Sequence, residues 1–551
     1  MAVIEENSKK VFFSGVLLLS FSTVLVKIIG LIYKIPMLSY LGSEGMGYFN
    51  SAYEIYALFC IIATAGLPVA LSVLISGALA RKEGASVDRI YRSALKIFLF
   101  IGIIGSVTMW FGAHAFCSWI QNEGAFLALR SIAPTVFLIC VSSALRGYFQ
   151  GFQRMMPTAM SQLLESLGKL VFGLLFAYTA LERGYPTETV AAAAGWGLTL
   201  GSGISLLYLL LEKKRFSLRN KTEREALSSK LANVKILRSL ASLAIPMTLG
   251  AALISVTKIV DMTMILRRLQ AIGYTEASAN EAFGNYTTLA LSVFAVLPTL
   301  LNSVSLPLVP ILSGAIISGN TERQKQMIEL SYRFAALFAI PASLGIAAFS
   351  HRILSLVFPY ATEAVDTTAP LLSLLGASVF LSCMITATNS VLHAYRSVNL
   401  PIFSMLAGTL VKGVSSYFLI GNPKIGLLGA PISSFLCNFV IVLLNFIFAA
   451  RLCHAELSVS KIFFRPFGAA AVSVGCSLLV CTFFEEKYGE GALVSISSLL
   501  FCVVLYFIFS VLFGCITSED LQALPLGEKC NCVFKRLKSI IFKENTQKMG
   551  K

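Results

Sequence analysis

Charge is scarce in this sequence. Asp, Glu, Lys and Arg together make up 13% of 551 residues, about half the share of an ordinary soluble domain. Histidine and tryptophan are rarer still, at 4 and 3 residues. The histidines (His114, His351, His393 and His454) share no ligand spacing, and most of the 12 cysteines lie inside apolar runs, as Cys60, Cys140, Cys383, Cys437, Cys476 and Cys502 do. A thiol in such a run behaves as a small hydrophobe. Cys530 and Cys532 form a C-x-C with no second half, so neither a zinc site nor a disulfide framework is indicated. There is no P-loop, no Ser-His-Asp set and no carboxylate dyad in an outer loop, which argues against an enzyme, an ATP-driven pump or any bound cofactor. Of the charged residues the acidic ones are the fewer, 28 against 44 basic, for a formal charge of +16. That balance invites a nucleic-acid reading, but there is no RNP signature, no helix-turn-helix and no basic face on a soluble domain.

What is present is apolar length. Hydrophobic residues make up 56% of the chain and the mean hydropathy is +0.78. Crossing roughly 30 Å of hydrocarbon takes about 20 apolar residues. The sequence offers such runs near 11–35, 47–80, 92–120, 126–149, 158–182, 189–211, 239–263, 282–317, 331–350, 367–392, 400–421, 425–450, 462–483 and 491–515. This predicts an all-α membrane protein of about 14 transmembrane helices. The run from Val11 is too long for a signal-peptide core and no small-residue cleavage site follows it, so it is a first spanning helix. The run at 282–317 holds Pro298, Pro307 and Pro310, which predicts a sharp kink or a partly re-entrant segment.

The basic residues orient these helices. With the N-terminus placed in the cytoplasm, alternate breaks and the two ends hold 31 of the 44 Lys and Arg, and the outer breaks hold eight. The bias stays in phase to the end, as the positive-inside rule requires of a correct count, and puts both termini inside.

The chain also reads as two copies of one plan. Ser143-Ala-Leu-Arg-Gly-Tyr148 closes the fourth run, and Ser390-Val-Leu-His-Ala-Tyr395 closes the tenth. Leu67-Pro68 with Ser76-Gly77-Ala78 answers Leu306-Pro307 with Ser313-Gly314-Ala315, and Val26-Lys27-Ile28-Ile29 answers Thr257-Lys258-Ile259-Val260. Three matches in order predict two pseudo-symmetric six-helix lobes, 1–211 and 239–450, joined by a basic cytoplasmic linker at 212–238. Two further helices fill 451–520 and a basic tail follows at 521–551. Six helices per copy preserve orientation, the parallel repeat of transporters that rock around a central site.

Five lysines fall inside the runs, Lys27, Lys96, Lys169, Lys258 and Lys412, while Lys34, at the outer end of the first run, is counted with the outer break. A charge inside the bilayer is costly and so is a functional candidate by default. Lys96 is close enough to a helix end to snorkel. The other four form two repeat-related pairs, Lys27 with Lys258 and Lys169 with Lys412. Lys169 lies 12 residues beyond Pro157 and Lys412 lies 11 beyond Pro401, about 16–18 Å along the helix and near mid-membrane. Four such lysines predict a wet, positively charged cavity for an anionic phosphate or pyrophosphate headgroup.

Glu165 stands four residues before Lys169, and Asp261 three after Lys258, so each lysine has an in-helix carboxylate able to neutralise it. Lys27 and Lys412 have none, which makes them the stronger ligand candidates. Glu54 could meet Lys27 across helices, or serve with Glu165 and Asp261 as a proton or cation site. Arg146 and Arg154 flank the cytoplasmic mouth, where Arg146 suits headgroup capture and both suit a purely topological role. Pro68, Pro298 and Pro307 are candidate hinges, with a static kink as the equal alternative.

Tyr40-Leu-Gly-Ser-Glu-Gly-Met-Gly-Tyr48, Ala65-Gly-Leu-Pro-Val-Ala-Leu-Ser72 and Arg146-Gly-Tyr-Phe-Gln-Gly-Phe-Gln153 with Pro157-Thr158 resemble the stage V sporulation protein B group. That group lies in the polysaccharide-transporter branch of the multidrug/oligosaccharidyl-lipid/polysaccharide exporter superfamily. The resemblance covers nearly the whole chain. It implies a flippase of the bacterial cytoplasmic membrane, functional as a monomer, that moves undecaprenyl-pyrophosphate-linked saccharides such as the peptidoglycan precursor lipid II to the outer leaflet. It also implies that the last two helices help hold the lipid tail. Related murein-precursor flippases line the cavity with arginines on the first helices, where this chain offers Lys27 and Lys34. Three rival readings are a multidrug or cation-coupled extruder of the same superfamily, a non-transporting scaffold for envelope or spore assembly, and a membrane-embedded transferase. Carboxylates in the cavity would favour the first, and acidic or histidine clusters at an outer face the last. Membrane lipids are the expected surroundings and nucleic acid is not an expected partner.

Overall fold

The computed structural model describes residues 2–81, 84–219, 233–305, 308–397, 399–453, 460–488 and 491–515. Pro307, His454, Cys530, Cys532, residues 220–232 of the basic linker and the basic tail lie outside them. The described residues are almost entirely helical, with no strand among them. Among the described residues thirteen helical stretches are long and apolar enough to cross a membrane. They match the sequence runs one for one, except that Phe21–Ala80, 60 residues long, takes up the first two. The protein is an all-α, multi-pass membrane protein.

The chain divides into two compact units, residues 1–292 with 409–433, and residues 293–408 with 434–551. The first contains α1 (Ala2–Thr64), α2 (Leu67–Ala80), α3 (Gly84–Phe111), α4 (Ala113–Ile120), α5 (Phe126–Gly151), α6 (Met156–Glu182), α7 (Thr187–Arg219), α8 (Asn233–Ala271) and α9 (Glu276–Asn285). A π-helical turn at Tyr286–Ala290 leads into α10 (Leu291–Phe294), where the division falls. The second unit contains α11 (Val296–Ser305), α12 (Leu308–Ile317), α13 (Thr321–Ala348), α14 (Ser350–Val357) and α15 (Thr362–Ala394). The chain then crosses between units within α16 (Asn399–Ile420) and α17 (Gly429–Cys453), and ends with α18 (Arg465–Tyr488) and α19 (Ala492–Leu512) in the second.

Apolar side chains on the outside mark the lipid-facing surfaces. On α19, Leu493, Ile496, Leu500, Val503 and Phe507 recur at three- and four-residue spacing and all are exposed. In water such a stripe would be a liability; in hydrocarbon it is the solvent-matched face, and what must be hidden is the polar set. Accordingly 39 polar or charged residues are buried among the described residues, most of them serines and threonines. Their hydroxyls commonly bond to carbonyls within their own helix, as Thr388 does to Met384 (2.8 Å) and Ser473 to Ala469 (2.7 Å).

Two sequence expectations need correction. The run at 92–120 is two helices, because the chain turns at Gly112 between α3 and α4, and only Ser86–Phe111 is long enough to span. The run at 282–317 is not one kinked helix. It breaks into α9, the π turn, α10, α11 and α12. Pro298 is the third residue of α11, where a missing N–H costs a helix nothing.

Within the first unit, α1 and α9 meet backbone to backbone. A Cβ on Gly47 would strike the Asn280 carbonyl, and one on Gly284 would strike the Ser43 carbonyl. Around this crossing Asn122 and Asn280 exchange amide hydrogen bonds (2.6 and 3.1 Å), and Asn50 donates to Thr287 and Thr288 (2.8 and 2.9 Å). Gly47→Ala is expected to push the helices apart and lower stability by about 1–3 kcal/mol, the usual cost of overpacking. Thermal unfolding of the purified protein checks this, and an unchanged midpoint would show that the crossing has slack.

Candidate functional site

The site begins with one residue that is not helical. Gly42 interrupts α1 at φ 65° and ψ 178°, a conformation open to glycine and strained for most other residues. Tyr33 and Phe49 are sixteen residues apart and would lie about 24 Å apart along a straight helix. Their ring centroids are 6.2 Å apart, so the two arms of α1 fold together at this glycine.

The ammonium group of Lys169, from α6, sits among the rings the fold assembles. It lies 4.7 Å from the Tyr33 centroid, 4.6 Å from Tyr53 and 5.7 Å from Phe49. Ring quadrupoles hold a cation without neutralising it. The expected in-helix pair with Glu165 is not the bond that forms: Glu165 remains in electrostatic range of Lys169, but its carboxylate accepts from Arg146 at 2.8 Å.

Lys27, Lys34 and Lys258 lie close enough to interact electrostatically with one another, and Lys27 and Lys34 each do so with Lys169. Lys27 is exposed and makes no hydrogen bond or ion pair among the described residues. Lys34 donates to the Thr287 carbonyl (3.2 Å) and the Ser292 hydroxyl (2.7 Å). The π turn supplies the Thr287 carbonyl, since an extra residue per turn takes carbonyls out of the regular ladder, and Ser292 follows it in α10. Sequence reading had put Lys34 in an outer break. The signal that could have placed it was its spacing: seven residues from Lys27 is two helical turns, hence the same face.

Glu54 stands among Lys27, Lys34 and Lys258. Glu54 does not make its bridge to Lys27; its Oε1 accepts from Lys258 at 3.4 Å, and its Oε2 is buried without a hydrogen-bond partner. Lys258 therefore does not pair with Asp261, three residues along its own helix. Asp261 instead accepts from Lys412 at 3.0 Å, and only about a tenth of either side chain is exposed. Lys412, which looked unpaired in sequence, is thus the most fully neutralised of the candidate lysines.

Arg146 is also committed internally. From α5 it donates Nε to Ser161 (2.9 Å) and a terminal nitrogen to Glu165 (2.8 Å) on α6 and Ser205 (3.2 Å) on α7. The residues that follow it are packing elements. Gly147 lets α5 approach the backbone of Pro68, and Tyr148 and Phe149 join Phe216 in an aromatic cluster. Arg154 stacks on Phe216 at 4.9 Å and bridges Glu212 at 3.8 Å.

Pro68 is the second residue of α2, directly after a bend at Ala65–Gly66. It begins a helix rather than kinking one. Gly66 is pressed against the Ala244 carbonyl of α8, where no side chain would fit. Pro298 opens α11 in the same way.

The four-lysine set sits in a chain whose relatives are informative. Stage V sporulation protein B of Bacillus subtilis (strain 168) is 24% identical over 94% of this chain and 98% of its own length. Lipid II flippase MurJ of the same organism is 23% identical over 81% and 83%. Among solved structures, an inward closed conformation of the lipid II flippase MurJ superposes with a TM-score of 0.68, at 14% identity, over 90% of this chain and 98% of that one; at that identity the likeness speaks for the fold. Residues 12–315, more than half the chain and the segment that carries all four lysines, match the profile described as polysaccharide biosynthesis protein, and the chain belongs to that family.

Proposed function

We propose that the protein is a flippase that moves undecaprenyl-pyrophosphate-linked saccharides, lipid II or a related cell-wall precursor, from the cytoplasmic to the outer leaflet. The observation that carries this reading is the cluster of Lys27, Lys34, Lys169 and Lys258 within spanning helices, in which Glu54 bonds only Lys258 and Glu165, the carboxylate nearest Lys169, is engaged by Arg146. An uncompensated positive set in a membrane protein needs an anionic occupant, and a pyrophosphate diester brings two negative charges to lysines that act as point-charge partners. The saccharide can occupy the wet space and the polyprenyl tail can stay in lipid. Kinship with a protein named a lipid II flippase supports the same reading.

In this proposal the chain acts as a monomer by alternating access, with both termini cytoplasmic and the helices grouped six, six and two. The bend at Ala65–Gly66 before Pro68 and the break before Pro298 are where the backbone has the fewest helical hydrogen bonds to lose, so these are the hinge positions. Arg146, Glu165, Lys412 and Asp261 act as struts that hold the helices bearing the lysines, rather than as ligands.

Reconstitution into liposomes with labelled lipid II and an outer-leaflet accessibility readout tests the proposal. Lipid-dependent transbilayer movement is expected. Absence of movement together with efflux of cationic drugs would favour the extruder reading. Lys27→Ala is expected to reduce flipping by about tenfold or more, equivalent to roughly 1.4 kcal/mol of lost binding in the rate-determining complex, with expression unchanged. Unaltered flipping in Lys27→Ala, Lys34→Ala and the double variant would remove the cationic-cavity mechanism.

A further inference from the structure

We propose that Glu54 is an internal counter-anion that competes with the incoming phosphate for Lys258 and thereby sets the rate of ligand release. The inference rests on the flippase reading for its ligand, but its geometry stands independently.

Among the described residues the Glu54–Lys258 bridge differs from the three short, buried ion pairs, and shares its length and exposed cation with Arg154–Glu212. Arg146–Glu165, Arg352–Glu485 and Lys412–Asp261 close at 2.8, 2.6 and 3.0 Å, and no side chain in these three pairs is more than about a fifth exposed. Glu54–Lys258 is 3.4 Å long, and the Lys258 side chain is 55% exposed. A long bridge to an exposed lysine contributes little and opens readily. The carboxylate end is the opposite case. The Glu54 side chain is 19% exposed, and its Oε2 is buried with no partner, so Glu54 has half its acceptor capacity unused. Lys27 and Lys34 are in its electrostatic range. A carboxylate so placed stays near the lysines whether or not it holds Lys258.

Two states follow. Without ligand, Glu54 holds Lys258 and offsets part of the positive charge of the lysine set. With a phosphate oxygen on Lys258, Glu54 is displaced but remains beside the ligand, and like-charge repulsion raises the free energy of the bound state. Release is then assisted by re-formation of the Glu54–Lys258 bridge. Without such an anion, four lysines would hold a pyrophosphate too well to give it up, and tight binding that does not favour the transition state slows turnover.

The test compares wild type with Glu54→Gln, Glu54→Ala and Glu54→Asp, as full-length protein. Binding of inorganic pyrophosphate is measured by calorimetry in detergent at low salt. Glu54→Gln is expected to tighten binding by about tenfold and to steepen its salt dependence. Glu54→Ala tests the same loss of charge should the glutamine variant not fold, and Glu54→Asp, which keeps the charge, is expected to shift the affinity less than about threefold. In liposomes, the lipid concentration for half-maximal flipping and the maximal rate should both fall in Glu54→Gln. Unchanged or weaker pyrophosphate binding in the charge-removing variants would overturn the proposal, as would tighter binding with an undiminished maximal rate. A wild type that binds pyrophosphate but moves no lipid would sink the flippase reading, while the calorimetric comparison would still decide whether Glu54 competes for the anion.

Discussion

Replacing Arg146 with alanine is expected to leave little folded protein, at a cost of about 3–5 kcal/mol, the range for removing one member of a buried ion pair. The guanidinium ties three helices together through Ser161, Glu165 and Ser205. Its loss leaves two serine hydroxyls with one partner fewer and a mostly buried carboxylate without its hydrogen-bonded counter-charge, inside a membrane where water cannot stand in readily. Arg146→Lys should recover only part of the loss, because an ammonium cannot reproduce a planar fork that reaches Ser161 from one nitrogen and Glu165 from another. Expression level and the thermal midpoint of the detergent-purified protein are the measurements. Glu165→Gln should be milder, since an amide oxygen can still accept from Arg146. A variant at Arg146 that folds and melts like wild type yet fails to transport would return this residue to the ligand site, where its sequence position first suggested it.

Lys412→Ala is expected to be nearly as damaging, and for the same physical reason. Asp261 has one oxygen on Lys412 and the other buried without a hydrogen-bond partner, so alanine at 412 strands a carboxylate with nothing to balance it, again at about 3–5 kcal/mol. Replacement of both charges by apolar groups should behave differently. Lys412→Met with Asp261→Leu removes the penalty along with the attraction, and buried pairs replaced in this way are often neutral or stabilising. The double variant is therefore expected to melt near or above wild type while each single variant melts well below it. It is also expected to keep substantial flipping activity, because the four-lysine set is untouched. Flipping abolished in a stable double variant would make the pair part of the transport machinery.

These two residues show where sequence reading reaches its limit. The spans were legible because hydrocarbon thickness imposes a length that composition alone reveals. The lysines were legible because a charge in such a run must have a reason to be there. Their partners were not. Asp261 is three residues from Lys258 and Glu165 is four from Lys169, spacings that permit an in-helix bridge; yet Asp261 bonds Lys412 and Glu165 bonds Arg146, both across helices. An in-helix bridge gives a few tenths of a kcal/mol, and any neighbouring helix that presents a better-buried donor outbids it. Which helix that is depends on packing, which the spacing of residues in one strand of sequence does not encode. The aromatic surroundings of Lys169 were hidden for a related reason. Tyr33 and Tyr53 reach it from opposite arms of one helix, and only the conformation of Gly42 says that the arms meet.

That last feature has a bearing on what changes the protein can accept. A helix turns 100° with each residue, so the faces of the two arms of α1 are set by how many residues separate each side chain from Gly42. Substitutions along the arms alter one contact each. A single inserted or deleted residue between Lys34 and Gly42, or between Gly42 and Phe49, would rotate a whole arm by more than a quarter turn and carry Lys27, Tyr33 or Tyr53 off the common face together. In this segment the number of residues is under tighter constraint than their identity.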